Sequence, residues 1–119
     1  MEIKKAQEKV KEFDKARGWE DDWQLKDIGL NMVEEVGELW NLIKWIDEDK
    51  QREVINQNKD EVKDFIGDSL FLTLKMANKT GIDVEKALKE TLKEYEKRMP
   101  PEKIKNKHAN KKAGGIDEK

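Results

Sequence analysis

Apolar residues recur every three or four positions through most of this chain, which is the period of an amphipathic α-helix. A first helix is marked by four such residues, Ile3, Ala6, Val10 and Phe13. Gly18 follows where a C-terminal glycine cap is expected. The same period predicts three further helices, over residues 22–46, 59–79 and 83–98. Since no segment alternates apolar and polar residues as a strand does, the pattern predicts an all-α, four-helix bundle-like protomer.

Two segments lack the helical period. Residues 47–59 are polar, and we expect a connection there with at most one short helical turn. The adjacent Pro100 and Pro101 should end the last helix, because proline has no backbone N–H to donate. The following residues, 102–119, are rich in Lys and have few apolar side chains. We therefore expect a single domain over residues 1–101 and a flexible tail after it.

Composition narrows the classes of function. The 25 basic and 27 acidic residues leave a net charge of −2, which argues against a binder of nucleic acid polymers. The absence of cysteine excludes thiolate nucleophiles, disulfides and Cys-ligated zinc. No apolar run approaches the roughly 18 residues of a membrane span, and the charged start is unlike a signal peptide, so a cytoplasmic protein is expected. Because Ile, Leu, Val and Phe are sparse, we expect some apolar surface to be buried in a homodimer or tetramer.

The second predicted helix carries three carboxylates close together, those of Glu34, Glu35 and Glu38. They span an arc of roughly 100° on one side of the helix. Glu34 and Glu38 form a like-charged i,i+4 pair, which destabilises an isolated helix. A nearby Lys or Arg would relieve this repulsion, yet residues 27–43 contain no basic residue.

The third predicted helix repeats this arrangement. Its Glu61, Asp64 and Asp68 fall within an arc of about 60°, and no base lies between Asp64 and Lys75. These stripes are either solvated helix faces or carboxylates that converge on a hard divalent cation such as Mg²⁺, which prefers oxygen ligands. Since the single histidine, His108, lies in the tail, a di-iron site built on Glu-x-x-His is excluded.

One run of residues resembles a known motif. Val33-Glu34-Glu35-Val36-Gly37-Glu38-Leu39 is similar to the Glu-Glu-x-x-Glu motif of the MazG-like all-α nucleoside triphosphate pyrophosphohydrolases. The flanks Arg17-Gly18-Trp19-Glu20 and Ile43-Lys44-Trp45 resemble those of the branch related to dCTP pyrophosphatase. Three further segments follow in the family order: Ile66-Gly67-Asp68, Gly81-Ile82-Asp83 and Lys97-Arg98-Met99-Pro100. The resemblance covers about residues 10–101.

The resemblance implies an enzyme that hydrolyses a (d)NTP to the monophosphate and pyrophosphate. It implies Mg²⁺ (or Mn²⁺) held by carboxylates, and a water that attacks the α-phosphorus. By position, Glu35 and Glu38 would be metal ligands. Glu34 would be the catalytic residue that orients or deprotonates the water, or a further ligand. Asp68 matches the aspartate that closes the second family motif, Glu-x-x-Asp, and would also bind the metal.

The chain departs from the family pattern at Phe65, which stands three residues before Asp68 where the motif has Glu. Either Asp64 substitutes for that glutamate, or the motif has moved to the segment that begins at Glu61. We favour Asp64, because the distance from Asp68 to Gly81 suits the family, and keep Glu61 as the second choice.

Substrate contacts are also implied by the resemblance. Trp19 and Trp45 match positions where the dCTP-directed branch places aromatic rings against the base, and their alternative role is dimer core. Lys75 and Arg98 could neutralise phosphate charge, or they could be solvated surface bases.

The resulting prediction is a homo-oligomeric nucleoside triphosphate pyrophosphohydrolase that serves nucleotide-pool sanitation. Two alternatives stay open. One is a metal- and nucleotide-binding module with little turnover, which the Phe65 departure favours. The other is a purely structural dimerisation bundle. The base and sugar preference is not fixed, because the branch's usual contact residues are replaced by Thr91, Tyr95 and Met99.

Overall fold

The computed structural model describes residues 1–104 of the chain. Every regular element in this range is a helix, which confirms the predicted all-α class. The helices are α1 (Ile3–Ala16), α2 (Trp19–Asp22), α3 (Leu25–Ile43), α4 (Glu48–Gln57), α5 (Lys59–Thr80), α6 (Val84–Arg98) and α7 (Pro101–Ile104). Helices α1 to α5 belong to one compact unit, Met1–Asp83, and a second unit starts at Val84. None of the described helices combines the length and the apolar character needed to cross a bilayer.

The single helix predicted over residues 22–46 is wrong at both ends. The short α2 ends at Asp22, Trp23 is extended, and α3 begins only at Leu25. A capping box explains this start, because the backbone N–H of Gln24 donates to Oδ2 of Asp27 at 3.0 Å and the Gln24 side chain caps in return. At the other end α3 stops at Ile43 and a turn follows.

The polar connection predicted over residues 47–59 is also wrong, because most of it forms the ten-residue helix α4. Its first turn carries Glu48 and Asp49, whose negative charges stabilise a helix N-terminus. Val54 and Ile55 are partly buried, and α4 packs against both α3 and α5. Tertiary packing therefore stabilises a helix whose apolar stripe is too short to show a clear period.

The remaining predicted helices are confirmed. Helix α5 ends at Thr80 and is capped by Gly81, which adopts a left-handed conformation with φ of 71°. Helix α6 runs from Val84 to Arg98. Helix α6 ends before the two prolines, but helical structure resumes at the second one. Pro101 is the first residue of the short helix α7, where its fixed φ suits the first helical position. The predicted flexible tail overlaps α7 at its start, and its remainder lies outside the described residues.

Helix α5 is the centre of the first unit and packs against both α3 and α1. The buried apolar side chains are few: Ile28 on α3, and Leu72, Leu74 and Ala77 on α5. Much of the apolar surface of these two helices is instead exposed, including Val33, which is 69% exposed. On α6, three large apolar or aromatic residues are also about half exposed: Leu88, Leu92 and Tyr95. The buried core is thus small, in agreement with the low content of Ile, Leu, Val and Phe.

Candidate active site

Helices α3 and α5 form a cleft of about 270 Å³ between them. Its lining consists of four carboxylates and three apolar side chains: Glu35, Glu38, Leu39, Leu42, Glu61, Asp64 and Phe65. On each helix the two acids are three residues apart, so they lie on the same side of that helix. The packing of α3 on α5 therefore brings together four of the six carboxylates of the two acidic stripes, while Glu34 and Asp68 lie outside the lining.

No basic side chain lines this cleft. The cleft is consequently an acidic site with apolar walls, rather than a network of ion pairs. Four carboxylates without counter-ions repel one another, and this repulsion is stronger where water is partly excluded. Such a site favours the binding of a proton or of a cation.

The surroundings of Glu35 raise the pKa of its carboxyl. Partial burial raises its pKa above the ordinary value of 4.5, and the charges of Asp68, Glu38 and Glu34 raise the pKa further. A hydrogen bond with the Asp68 carboxyl acts in the same direction, since protonated Glu35 donates to it. Glu35 on α3 and Asp68 on α5 are therefore neighbours across the helix pair.

The chemistry of the donors suits a hard divalent cation, because all of them are carboxylate oxygens. Their arrangement is more open than a closed metal site. Within residues 1–104, no three acidic or histidine side chains are grouped as ligands around a metal ion would be. A metal held here would draw carboxylates of the two helices together.

The structure does not choose between the two alternatives for the ligand that replaces the family glutamate. Asp64 and Glu61 both line the cleft. Phe65 lines it as well, so an apolar ring is present beside the acids at the motif position where the family has Glu. Glu34 is exposed and does not line the cleft, although its charge acts on Glu35.

The other sequence-predicted residues lie elsewhere. Trp45 follows α3 in a turn and is 86% exposed, with Nζ of Lys44 5.8 Å from its ring centre. Trp19 lines a separate cleft of about 290 Å³, formed by parts of α1, α2 and α5. Arg98 belongs to the second unit, where its Nη1 lies 3.6 Å from Oε1 of Glu94. The structure thus does not bring Trp19 or Trp45 to the walls of the acidic cleft.

Lys75 is not a solvated surface base, and that alternative is wrong. Its side chain is buried, with Nζ 3.1 Å from Oδ1 of Asp14. It faces the cleft of Trp19 rather than the acidic cleft. A cation held by a buried carboxylate and shielded from solvent is not free to approach phosphates at the acidic site.

Sequence reasoning missed the Asp14–Lys75 pair, although signals for it exist. Asp14 stands four residues after Val10 in the apolar stripe of α1, on the face that packs inward. Lys75 directly follows the most apolar stretch of the chain and lies three residues after the buried Leu72. A charged residue at a core position of each of two helices is the pattern of a buried ion pair.

Comparison with known proteins agrees with this geometry. Residues 24–102 match the profile of the MazG nucleotide pyrophosphohydrolase domain, more than half of the chain. The fold is similar to the crystal structure of a pyrophosphatase from Archaeoglobus fulgidus, with a TM-score of 0.71 and 27% identity over 81% of this chain and 90% of that one. None of the curated proteins with which the chain was compared matches it.

The profile match begins at Gln24, the residue that caps α3, and extends through α6. It therefore includes both helices that line the acidic cleft. The resemblance to the MazG-like family is confirmed on the level of the domain and of the fold. This chain is a nucleotide pyrophosphohydrolase that belongs to the MazG family.

Proposed function

We propose that this enzyme hydrolyses a nucleoside triphosphate, ribo- or deoxyribo-, between the α- and β-phosphates. The products are the nucleoside monophosphate and pyrophosphate, as expected of an enzyme of nucleotide-pool sanitation. The observation that carries the proposal is the cleft between α3 and α5, in which four carboxylates meet without a basic partner. Such a cleft repels a triphosphate by itself, so it requires a cation between enzyme and substrate.

The donor set fits Mg²⁺, with Mn²⁺ as an alternative. Glu35, Glu38 and Asp68 would hold the ion, together with Asp64 or Glu61. When bound, the ion would neutralise phosphate charge and lower the pKa of a coordinated water. The raised pKa of Glu35 supports this assignment, because a bound cation would offset the partial burial and the neighbouring negative charges that raise it.

The residues of the chain itself then have distinct roles. Glu34 would orient the attacking water or accept its proton, because its exposed carboxylate lies beside Glu35. Trp19 and Trp45 would stack on the base, and Arg98 would neutralise phosphate charge. The chemistry needs no covalent nucleophile, which agrees with a chain without cysteine.

We further propose that the protein is a homo-oligomer, at least a dimer. Helix α3 exposes an apolar stripe at three- and four-residue spacing: Leu30, Val33, Val36 and Trp40. Helix α5 exposes Ile66 and Leu70, which are 54% and 47% accessible. Exposed apolar stripes of this kind are typical of an interface. Sedimentation equilibrium should give at least twice the 14.0 kDa chain mass, and a stable monomer at micromolar concentration would contradict the proposal.

The test of the proposed activity is pyrophosphate release from each of the eight common NTPs and dNTPs with Mg²⁺. Glu38→Gln keeps the size of the side chain and removes an anionic ligand, so turnover should fall by orders of magnitude. Glu12→Gln is the matched control, because Glu12 is an exposed carboxylate on α1 outside both clefts. Near-wild-type release of pyrophosphate by Glu38→Gln would show that Glu38 is not a metal ligand.

A binding module with little turnover is the second candidate, and Phe65 favours it, since the ring lines the cleft where the family has a carboxylate. On this view Mg²⁺ with a non-hydrolysable dNTP raises the melting temperature of the wild type, while no nucleotide yields pyrophosphate. Phe65→Glu should then create activity. A purely structural bundle predicts neither stabilisation nor release.

A further inference from the structure

The cleft beside α2 contains a buried cation whose role the acidic site does not explain. Nζ of Lys75 lies 3.1 Å from Oδ1 of Asp14, and the two side chains are only 3% and 7% exposed. The pair joins α5 to α1 across 61 residues of sequence. Burying two charges is unfavourable unless their geometry is good, and a pair of apolar side chains usually stabilises a core at least as well. The presence of the pair therefore calls for a role other than stability.

Three aromatic rings surround the ammonium group. Nζ lies 3.9 Å from the ring centre of Trp23, 4.8 Å from that of Trp19 and 5.4 Å from that of Phe71. Cation–π attraction acts within about 6 Å and is strongest where the cation is desolvated, as it is here. The attraction depends on the direction of each ring, so it fixes orientation as well as distance.

The two tryptophans need such support because α2 has only four residues, Trp19–Asp22. A single helical turn is not stable by itself, so tertiary contacts must hold it in place. The ring of Trp19 meets Phe13 edge-on at 5.9 Å and lies 6.1 Å from Trp23. Nζ of Lys79 donates to the backbone oxygen of Glu20 at 2.6 Å.

Lys75 is the point at which these contacts meet, since its ammonium touches Asp14 and both indoles together. We propose that the Asp14–Lys75 pair holds Trp19 and Trp23 in the orientation that receives the nucleobase, so that Lys75 is a positioning residue for substrate binding. The inference rests on the proposed function in its statement that Trp19 contacts the base. In this proposal Lys75 acts by orienting the two indoles and does not contact phosphate.

The test replaces both charges at once, because removing one would leave the other buried and unpaired. Asp14→Asn with Lys75→Met keeps the side-chain sizes close, and Asp14→Leu with Lys75→Met is an apolar version. Lys9→Met, an exposed lysine on α1, is the control. Each variant is compared with the wild type by far-UV and near-UV circular dichroism, and by KM and kcat with the best of the eight nucleotides.

We expect helical content to be retained while the near-UV signal of the ordered indoles falls clearly. KM should rise about tenfold and kcat should stay within about twofold, because the loss is in binding and not in the chemical step. The control should match the wild type in every measurement. A double variant with a wild-type near-UV spectrum and wild-type KM would overturn the inference. So would failure of both double variants to fold cooperatively, since the pair would then be a general requirement of the fold.

These results stay separate from those for the proposed function. If the wild type releases pyrophosphate from none of the eight nucleotides, the proposed activity fails. The near-UV comparison still decides whether the pair orders the indoles. If the wild type is active and kcat falls together with an unchanged KM, Lys75 acts on the chemical step and the positioning role is wrong.

Discussion

Glu35→Gln is expected to stabilise the metal-free protein while it abolishes turnover. When Glu35 ionises in the wild type, its charge lies in a partly buried position near Asp68, Glu38 and Glu34. Glutamine is neutral, has nearly the same shape, and its amide can donate to Asp68 as the protonated carboxyl does. The substitution thus removes the repulsion and keeps the contact.

The pH dependence of this effect follows from the raised pKa of Glu35. The folded state binds the Glu35 proton more tightly than the unfolded state does, so this proton stabilises the fold below the unfolded pKa. That stabilisation is lost as the pH rises through the folded pKa. Above the folded pKa the wild type has lost it, whereas the glutamine variant is unaffected. The variant should therefore be more stable at pH 7, and the difference should shrink towards pH 4.

The expected gain at pH 7 is about 0.5–1 kcal/mol, because each like-charged neighbour such as Glu38 or Asp68 contributes a few tenths. For a domain of this size the melting temperature should rise by about 2–6 °C. Calorimetry in buffer with a chelator, from pH 4 to pH 8, measures this. Glu12→Gln is again the control, because Glu12 has the oppositely charged Lys9 and Lys15 at i−3 and i+3, whereas the neighbours of Glu35 are like-charged.

Two results would refute the reasoning about Glu35. One is a variant that melts at or below the wild-type temperature at pH 7. The other is a stability difference that does not narrow towards pH 4. A stabilised variant that keeps wild-type pyrophosphate release would leave the electrostatics intact but remove Glu35 from the proposed metal ligands.

Further predictions concern the fold and its assembly. Gly81→Ala should lower the free energy of unfolding in urea by about 1 kcal/mol, because Gly81 has a φ of 71°. Gly29→Ala inside α3 should be neutral or stabilising, since nothing lies within 4 Å of the new Cβ. Asp27→Ala should cost about 1 kcal/mol, because it breaks the capping box of α3. Val33→Asp should shift sedimentation equilibrium towards the monomer, because it puts a charge in the exposed apolar stripe; an unchanged mass would place the interface elsewhere.

The acidic cleft was largely predictable because helical periodicity places the acids of each helix on one face. Glu35 and Glu38 share one face of α3, and Glu61 and Asp64 share one face of α5, so any packing of these faces brings the acids together. The absence of nearby bases indicated that they were not surface ion pairs. Periodicity does not give the distance between the acids of α3 and those of α5, because this distance depends on how closely the two helices approach.

Features decided by tertiary contacts were missed. The break before Leu25 depends on the reciprocal capping of Gln24 and Asp27, which a smooth apolar period does not reveal. Helix α4 depends on packing against α3 and α5, since its own apolar stripe is short. The sequence does not reveal that Lys75 is buried beside Asp14, because it gives no distance between the two residues. Such contacts join residues far apart in the chain, so local patterns do not show them.

Hydrolysis in ¹⁸O-labelled water identifies the phosphorus atom that the water attacks. The purified protein is incubated with Mg²⁺ and its best nucleoside triphosphate, and the products are separated and analysed by mass spectrometry. We predict a nucleoside monophosphate that carries one ¹⁸O and an unlabelled pyrophosphate, because the water attacks the α-phosphorus. Nucleoside diphosphate with inorganic phosphate, label in the pyrophosphate, or no product from any of the eight nucleotides would contradict the proposed reaction.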